Sequence, residues 1–203
     1  MKTKILTALA ALLLCGASAA EKTLPPCCAN TNLQAATNYT DKSLFNLDSV
    51  WTSDAAKQFK LGALRGKPQV VAMFFASCQY TCPLTINDLK RIESALPANL
   101  RTNVGFVLVS FDSERDTPAA LTEARKKHDL KSANWTLLRG DAEDVRELAA
   151  MLGVSYRKDA NGQFAHSNVI IVLNSEGEIV FQQPGLNVPP DVIVAKLEAL
   201  LIK

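Results

Sequence analysis

The stretch from Gly66 to Leu96 constrains the fold more than any other part of the chain. Gly66-Lys67-Pro68 turns the backbone into Gln69 to Phe75, an apolar run of strand length that fits a fully buried strand. Pro83 then suits the first turn of a helix, in which Leu89, Ile92 and Leu96 repeat at helical spacing until Pro97 stops them. Between strand and helix stands Cys78-Gln79-Tyr80-Thr81-Cys82, so two thiols lie on a strand-to-helix turn. Sites in α/β sheets collect beyond the carboxyl ends of strands, and this turn is such a place.

The rest of the chain supplies partners for that unit. A second strand is expected over Val104 to Ser110 and a third over Trp135 to Leu138. Asp116 or Thr117 caps the helix between them, with Pro118 near its first position and its end around His128 to Leu130. Ala142 to Leu152 forms a helix with Val145, Leu148, Ala149 and Leu152 on one face and Gly153 beyond its end. Val154 to Tyr156 reads as a brief extended piece. Asn168 to Leu173 and Glu178 to Gln182 are strand runs joined by the turn Asn174-Ser175-Glu176-Gly177, and Asp191 to Ile202 closes the chain as a helix. A short hairpin is expected around Leu44 to Trp51. Strands alternating with helices and ending in a hairpin plus helix give an α/β domain, a central mixed sheet flanked by helices, over residues 43–203. That order fits thioredoxin-like folds.

The first residues read as an export address. Lys2 and Lys4 form a charged start, Ile5 to Leu14 an apolar run, and Ala17-Ser18-Ala19 a small-residue cleavage site, so residues 1–19 are a signal peptide cut near Ala19 or Ala20. The apolar run is well short of the roughly 20 residues that span a bilayer, which disfavours a retained anchor. Lipidation at Cys15 is disfavoured by the bulky Leu14 before it. The expected location is therefore the periplasm. Residues 20–42 are polar, carry Pro25-Pro26 and lack periodicity, which marks a flexible leader holding Cys27 and Cys28. With Lys2 and Lys4 removed, the charge balance is 20 basic against 20 acidic residues. No basic excess remains to recognise nucleic acid or an anionic membrane.

Cys27-Cys28 and Cys78/Cys82 are two close pairs in an oxidising compartment. Such pairs close only small loops, which gain little by chain entropy, so the pairing points to chemistry rather than to staples. Adjacent Cys27 and Cys28 form a bond between themselves only with strain, leaving a transient metal relay, a resolving dithiol for Cys78 and Cys82, or a disulfide with another protein, a redox partner. Cys78 and Cys82 are one helical turn apart and suit Cu(I) as a soft pair, or close a disulfide. Cys82, at the start of the helix, is expected to be the more acidic thiol. One imidazole would complete a set that also holds Cu(II). His166, in a loop before the strand from Asn168, is the better placed; His128 ends the charged run Arg125-Lys126-Lys127 and reads as a solvated helix-end residue. A peroxidase reading fails for want of a Pro and Thr before the cysteine, since Phe75 and Gln79 stand there.

From about Leu44 onward the chain resembles the Sco/SenC family of copper-handling proteins. The resemblance is carried by Gly66-Lys67-Pro68, the Cys78 to Cys82-Pro83 motif, Ser110-Phe111-Asp112-Ser113-Glu114-Arg115-Asp116-Thr117-Pro118, and His166-Ser167 before a strand with Gly177 after it. It implies a thioredoxin fold, copper held by Cys78, Cys82 and His166, and delivery to the binuclear copper centre of a respiratory oxidase, whose subunit would be the receiving partner. Ser113 replaces the Pro usual in the acidic-arginine motif, and Cys27-Cys28 stands outside the family pattern. The acidic motif itself reads first as helix capping with Arg115 paired locally. Two functions follow: a metallochaperone that passes copper on by ligand exchange, or a thiol-disulfide reductase that keeps a partner's copper-binding cysteines reduced.

Overall fold

The computed structural model describes residues 39–202. The expected signal segment and the Cys27-Cys28 pair lie outside the described residues.

The apolar runs become the centre of the sheet. Strand β3 (Gln69–Phe74) and strand β4 (Gly105–Ser110) are buried at every position and pair in parallel, from Gln69 opposite Gly105 to Phe74 opposite Ser110. A strand covered on both faces has no solvent side, which is why these two read as unbroken apolar runs without alternation. Strand β5 (Trp135–Arg139) extends the parallel set beside β4. On the other side of β3, β8 (Val169–Leu173) pairs antiparallel, and β9 (Ile179–Pro184) pairs antiparallel with β8. The turn between them is the expected one: Gly177 adopts φ 82°, and the Asn174 side chain accepts the N–H groups of Glu176 and Glu178 at 3.0 Å each.

The early hairpin forms later in the chain than the sequence suggests. Leu44–Asn46 is a single 3-10 turn capped by Ser43, whose hydroxyl accepts the Phe45 N–H. The pairing strands are β1 (Trp51–Ser53) and β2 (Gln58–Phe59), and β1 docks antiparallel on β5. Trp51 is fully buried there and anchors the strand, whereas Leu44 and Phe45 sit in the 3-10 turn and bury against the core, Phe45 beside Tyr39 and Gly177. The large sheet therefore runs β2-β1-β5-β4-β3-β8-β9, a mixed thioredoxin-like arrangement. Tyr39 packs edge-on against Phe45 and lies under the Arg65 guanidinium.

Helix α1 (Thr81–Ala95) follows β3 and buries Cys82, Ile86, Leu89 and Ile92, the residues spaced for one face. Each fully buried Leu or Ile contributes about 1.5–3 kcal/mol relative to exposure. A short helix α2 (Ala98–Arg101) follows Pro97. Helix α3 (Pro118–Lys127) joins β4 to β5, with Thr117 as its cap accepting the Ala120 N–H at 3.2 Å. Helices α4 (Ala142–Met151) and α5 (Pro190–Leu201) complete the covering layers, and α5 packs against α1. Among the described residues no helix is long and apolar enough to cross a membrane.

Between α4 and β8 lies an element that sequence periodicity does not reveal. Strands β6 (Tyr156–Lys158) and β7 (Phe164–His166) form a separate two-stranded hairpin, with Tyr156 opposite His166. His166 is thus a strand residue rather than a loop residue, and its position is set by hairpin register.

Candidate functional site

The site assembles where β3 gives way to α1. Phe75 to Tyr80 bridge the two elements, and the Cys78 N–H donates to the Phe75 carbonyl at 3.1 Å, which turns the loop back toward the strand end. Helix α1 begins at Thr81, so Cys82 is its second residue and faces inward, 2% exposed. Cys78 is 4% exposed and lies ahead of the helix, where its Sγ accepts the Cys82 N–H at 3.5 Å. Both cysteines are free thiols.

This placement reverses the expected acidity. Burial raises Cys78, but the Cys82 and Tyr80 N–H groups, with the Cys82 thiol and Thr81 hydroxyl, more than offset it and bring Cys78 below the ordinary thiol range. Cys82 is driven far above that range, first by burial and then by its hydrogen bond to Cys78, with only the Phe75 backbone opposing. The helix start does stabilise a thiolate. The sulfur it points at belongs to Cys78, because the free N–H groups of a first turn point back along the chain, toward residues ahead of the helix.

His166 reaches this pair from β7. Its Nε2 lies 3.8 Å from the Cys82 Sγ and 3.3 Å from the Thr81 hydroxyl oxygen, across 84 and 85 residues of sequence. Its Nδ1 is 3.1 Å from the Ser167 carbonyl. A carbonyl only accepts, so in the neutral ring Nδ1 carries the proton and the Nε2 lone pair faces Cys82 and Thr81. Ser167 in turn is tied to Ser155 through its N–H at 2.9 Å, which fixes the carbonyl that orients the ring. An aromatic wall supports the imidazole: the Phe111 ring centroid lies 5.0 Å away, the Phe75 ring meets it edge-on, and Phe164 and Tyr156 close the cluster.

Two thiols and an imidazole with a free Nε2 are the donor chemistry that soft copper and its oxidised form share. Among the described residues no three Cys, His, Asp or Glu side chains are already closed around one point. The Cys82–His166 contact is formed, and the Cys78 sulfur lies beside it against the Cys82 N–H. His128 takes no part. It ends α3 half-buried, its carbonyl accepting Lys90 at 3.0 Å, and burial together with Lys127 and Lys90 holds its imidazole below the usual range rather than above it. A cavity of about 1060 Å³ beside Phe59, Arg125 and Trp135 is lined by none of the three candidate ligands.

The acidic motif is more than a helix cap. Thr117 does the capping, while Asp116, 3% exposed, accepts the Ala76 N–H at 2.8 Å and the Ser110 hydroxyl. Burial pushes Asp116 above the usual carboxylate range, partly countered by those two donors. Asp112 is equally buried and pairs with Arg115. Sequence reading missed Thr81, Phe75 and Asp116 as parts of the site; the signals were a hydroxyl between the cysteines and a doubled Asp flanking Arg115.

Comparison with known proteins agrees with this architecture. The SCO1/SenC family model matches residues 38–202. The chain belongs to the SCO1/SenC family. A Stutzerimonas stutzeri protein named for copper binding is 26% identical over 125 residues, 60% of this chain and 60% of its own length, so the match spans about three-fifths of that relative. A SCO1/SenC family lipoprotein of Bacillus anthracis superposes with a TM-score of 0.70 at 24% identity, covering 81% of this chain and 98% of its own. ScoI of Bradyrhizobium japonicum, solved with copper bound, gives 0.63 at 22% identity over 75% and 96% of the two chains. These structures establish the thioredoxin-like fold.

Proposed function

We propose that this protein is an exported, periplasmic copper metallochaperone that holds copper with Cys78, Cys82 and His166 and passes it to a copper centre of a respiratory oxidase. The observation that carries the reading is the meeting of the Cys82 Sγ and the His166 Nε2 at 3.8 Å, with the opposite ring nitrogen tied to Ser167. Membership of a family with copper-bound members supports the choice of metal. Cys78 enters as the thiolate held at the helix start, and Cys82 gives up its proton as the metal arrives, so uptake releases a proton. The metal leaves by ligand exchange to a partner's thiolates. Export with cleavage near Ala19 or Ala20 puts Cys27 and Cys28 where a redox partner can reach them.

The test is titration of the reduced protein with Cu(I) and with Cu(II), repeated on His166→Ala. With Cys27 and Cys28 replaced by Ser, the protein is expected to take one copper per chain in either state. The variant keeps Cu(I) on the thiol pair and loses at least about tenfold in Cu(II) affinity, since even supporting residues of a metal site cost that much. A reduced wild type that takes up no copper refutes the reading.

A thiol-disulfide reductase is the second reading, favoured by Cys78 lying ahead of α1 with its sulfur against the Cys82 N–H and its acidity below the ordinary thiol range. There the Cys78 thiolate attacks a partner disulfide, releasing one partner thiolate. Cys82 then displaces the other, leaving a Cys78–Cys82 disulfide and a partner dithiol. Metal-free, reduced protein that converts a disulfide-bonded copper-binding peptide to its dithiol, stoichiometrically and without copper uptake, favours this reading over the first.

A further inference from the structure

The loop Asp112 to Asp116 touches both halves of the site, and its two ends are held by different residues. On the cysteine side, the buried Asp116 carboxylate accepts the N–H of Ala76, two residues before Cys78. On the histidine side, the Arg115 guanidinium donates to the carbonyl of Gly162, in the turn of the β6–β7 hairpin that carries His166. Lys158 of β6 adds an ion pair with Glu114 at 2.7 Å. Within the loop, Asp112 accepts both the backbone N–H and the side chain of Arg115, and the Asp116 N–H donates to the Asp112 carbonyl at 3.0 Å. Gly162 sits at φ 73°, and a Cβ added there would lie 3.1 Å from the Arg115 guanidinium, so the close approach depends on this glycine.

We propose that this loop is a bracket that sets the separation of the thiol pair from the imidazole, with Arg115 and Asp116 as positioning residues that touch neither ligand. The hairpin is short, half-exposed and paired only within itself, so no strand ladder ties it to the large sheet; the apolar contacts of Phe75 and Phe111 and the link into β8 leave the polar tie between hairpin and thiol side to this loop. The Arg115 fork does so by bonding the loop and the hairpin at once, which a single-nitrogen lysine cannot reproduce in the same geometry. As a statement about copper the proposal rests on the metallochaperone reading; as a statement about side-chain placement it does not.

The variants are Arg115→Met and the milder Arg115→Lys, read in two ways. In the metal-free protein, the nuclear Overhauser contact between the His166 ring and the Thr81 methyl is expected in wild type, lost in Arg115→Met and weakened in Arg115→Lys. In copper-loaded protein, Arg115→Met is expected to keep wild-type Cu(I) stoichiometry on the thiols while Cu(II) loses its imidazole hyperfine signal and dissociates about tenfold or more faster. A wild-type Overhauser contact that survives unchanged in Arg115→Met overturns the bracket, and so does its absence from wild type. Failure of wild type to bind copper overturns the functional reading alone, because the metal-free measurement still decides the bracket. If Arg115→Met does not fold, Arg115→Lys carries the same comparison.

Discussion

Removing the Asp116 carboxylate tests whether the loop beneath the cysteines is held by a buried hydrogen bond. Asp116→Ala leaves two donors, the Ala76 N–H and the Ser110 hydroxyl, without their shared acceptor in a place that water does not reach. An orphaned buried polar group costs about 1–3 kcal/mol, and the hydroxyl can turn elsewhere, so the total is expected near 3 kcal/mol. For a domain of this size that lowers the melting midpoint by about 6–12 °C. Asp116→Asn retains an amide oxygen for Ala76 and separates lost hydrogen bonding from lost charge. The sign of the pH dependence follows from the raised carboxylate. A folded-state value above the unfolded one contributes stability that is complete below about pH 4 and is lost as pH rises through the folded value. Wild type should therefore lose ground to Asp116→Asn as pH increases from 4 toward neutrality, by urea denaturation at each pH. Equal costs for the Ala and Asn variants, or a wild-type advantage over Asn that grows with pH, would refute the reasoning.

Ultraviolet thiolate absorbance of the reduced protein from Ala20 onward, with Cys27 and Cys28 replaced by Ser, is expected to show one thiol ionising below the ordinary range and the second only in strong base. Thr81→Val should move the first step upward, because Cys78 loses a hydroxyl donor. His128 is held low by burial, so its contribution to stability is present above about pH 6.5 and lost as pH falls; His128→Gln should flatten the denaturation profile on the acid side. Gly177→Ala combines a left-handed φ of 82° with a Cβ 2.6 Å from the Phe45 ring, and should destabilise by at least about 2 kcal/mol in denaturant titration.

The sheet was legible because its strands obey the rule that burial on two faces needs an unbroken apolar run, as Gln69 to Phe74 and Gly105 to Ser110 do. The hairpin carrying His166 escaped notice because its six strand residues are only half-buried or exposed, and three-residue strands have no room for a period. His166 was set apart from His128 on the premise of a loop, whereas it is a strand residue. What holds His166 is register opposite Tyr156 and an aromatic wall from three other segments, neither of which leaves a local trace in sequence. The thiols were misranked for a related reason: the helix-start argument was sound, but which sulfur it favours depends on the helix beginning at Thr81.

That start at Thr81 also places one hydroxyl proton between two acceptors. Thr81 can donate to the His166 Nε2 or to the Cys78 sulfur, and both atoms are candidate ligands. In the metal-free site the Cys82 N–H and the Cys82 thiol likewise donate to Cys78. A metal entering must displace the Thr81 donor from the single Nε2 lone pair and the Cys82 thiol proton from Cys78, so each of those two hydrogen bonds subtracts from the net free energy of binding. A copper carrier of the kind proposed needs this compromise. Ligands left unsatisfied would bind copper more tightly and release it more slowly, whereas ligands with internal partners have somewhere to return when the metal moves on. Thr81→Val thus separates two effects that act in opposite directions: it frees the imidazole for metal, and it makes the Cys78 thiolate harder to form. If Cu(II) dissociation slows in the variant when measured above the first thiol ionisation, where the second effect vanishes, the hydroxyl is a competitor for the ligand rather than a support for it.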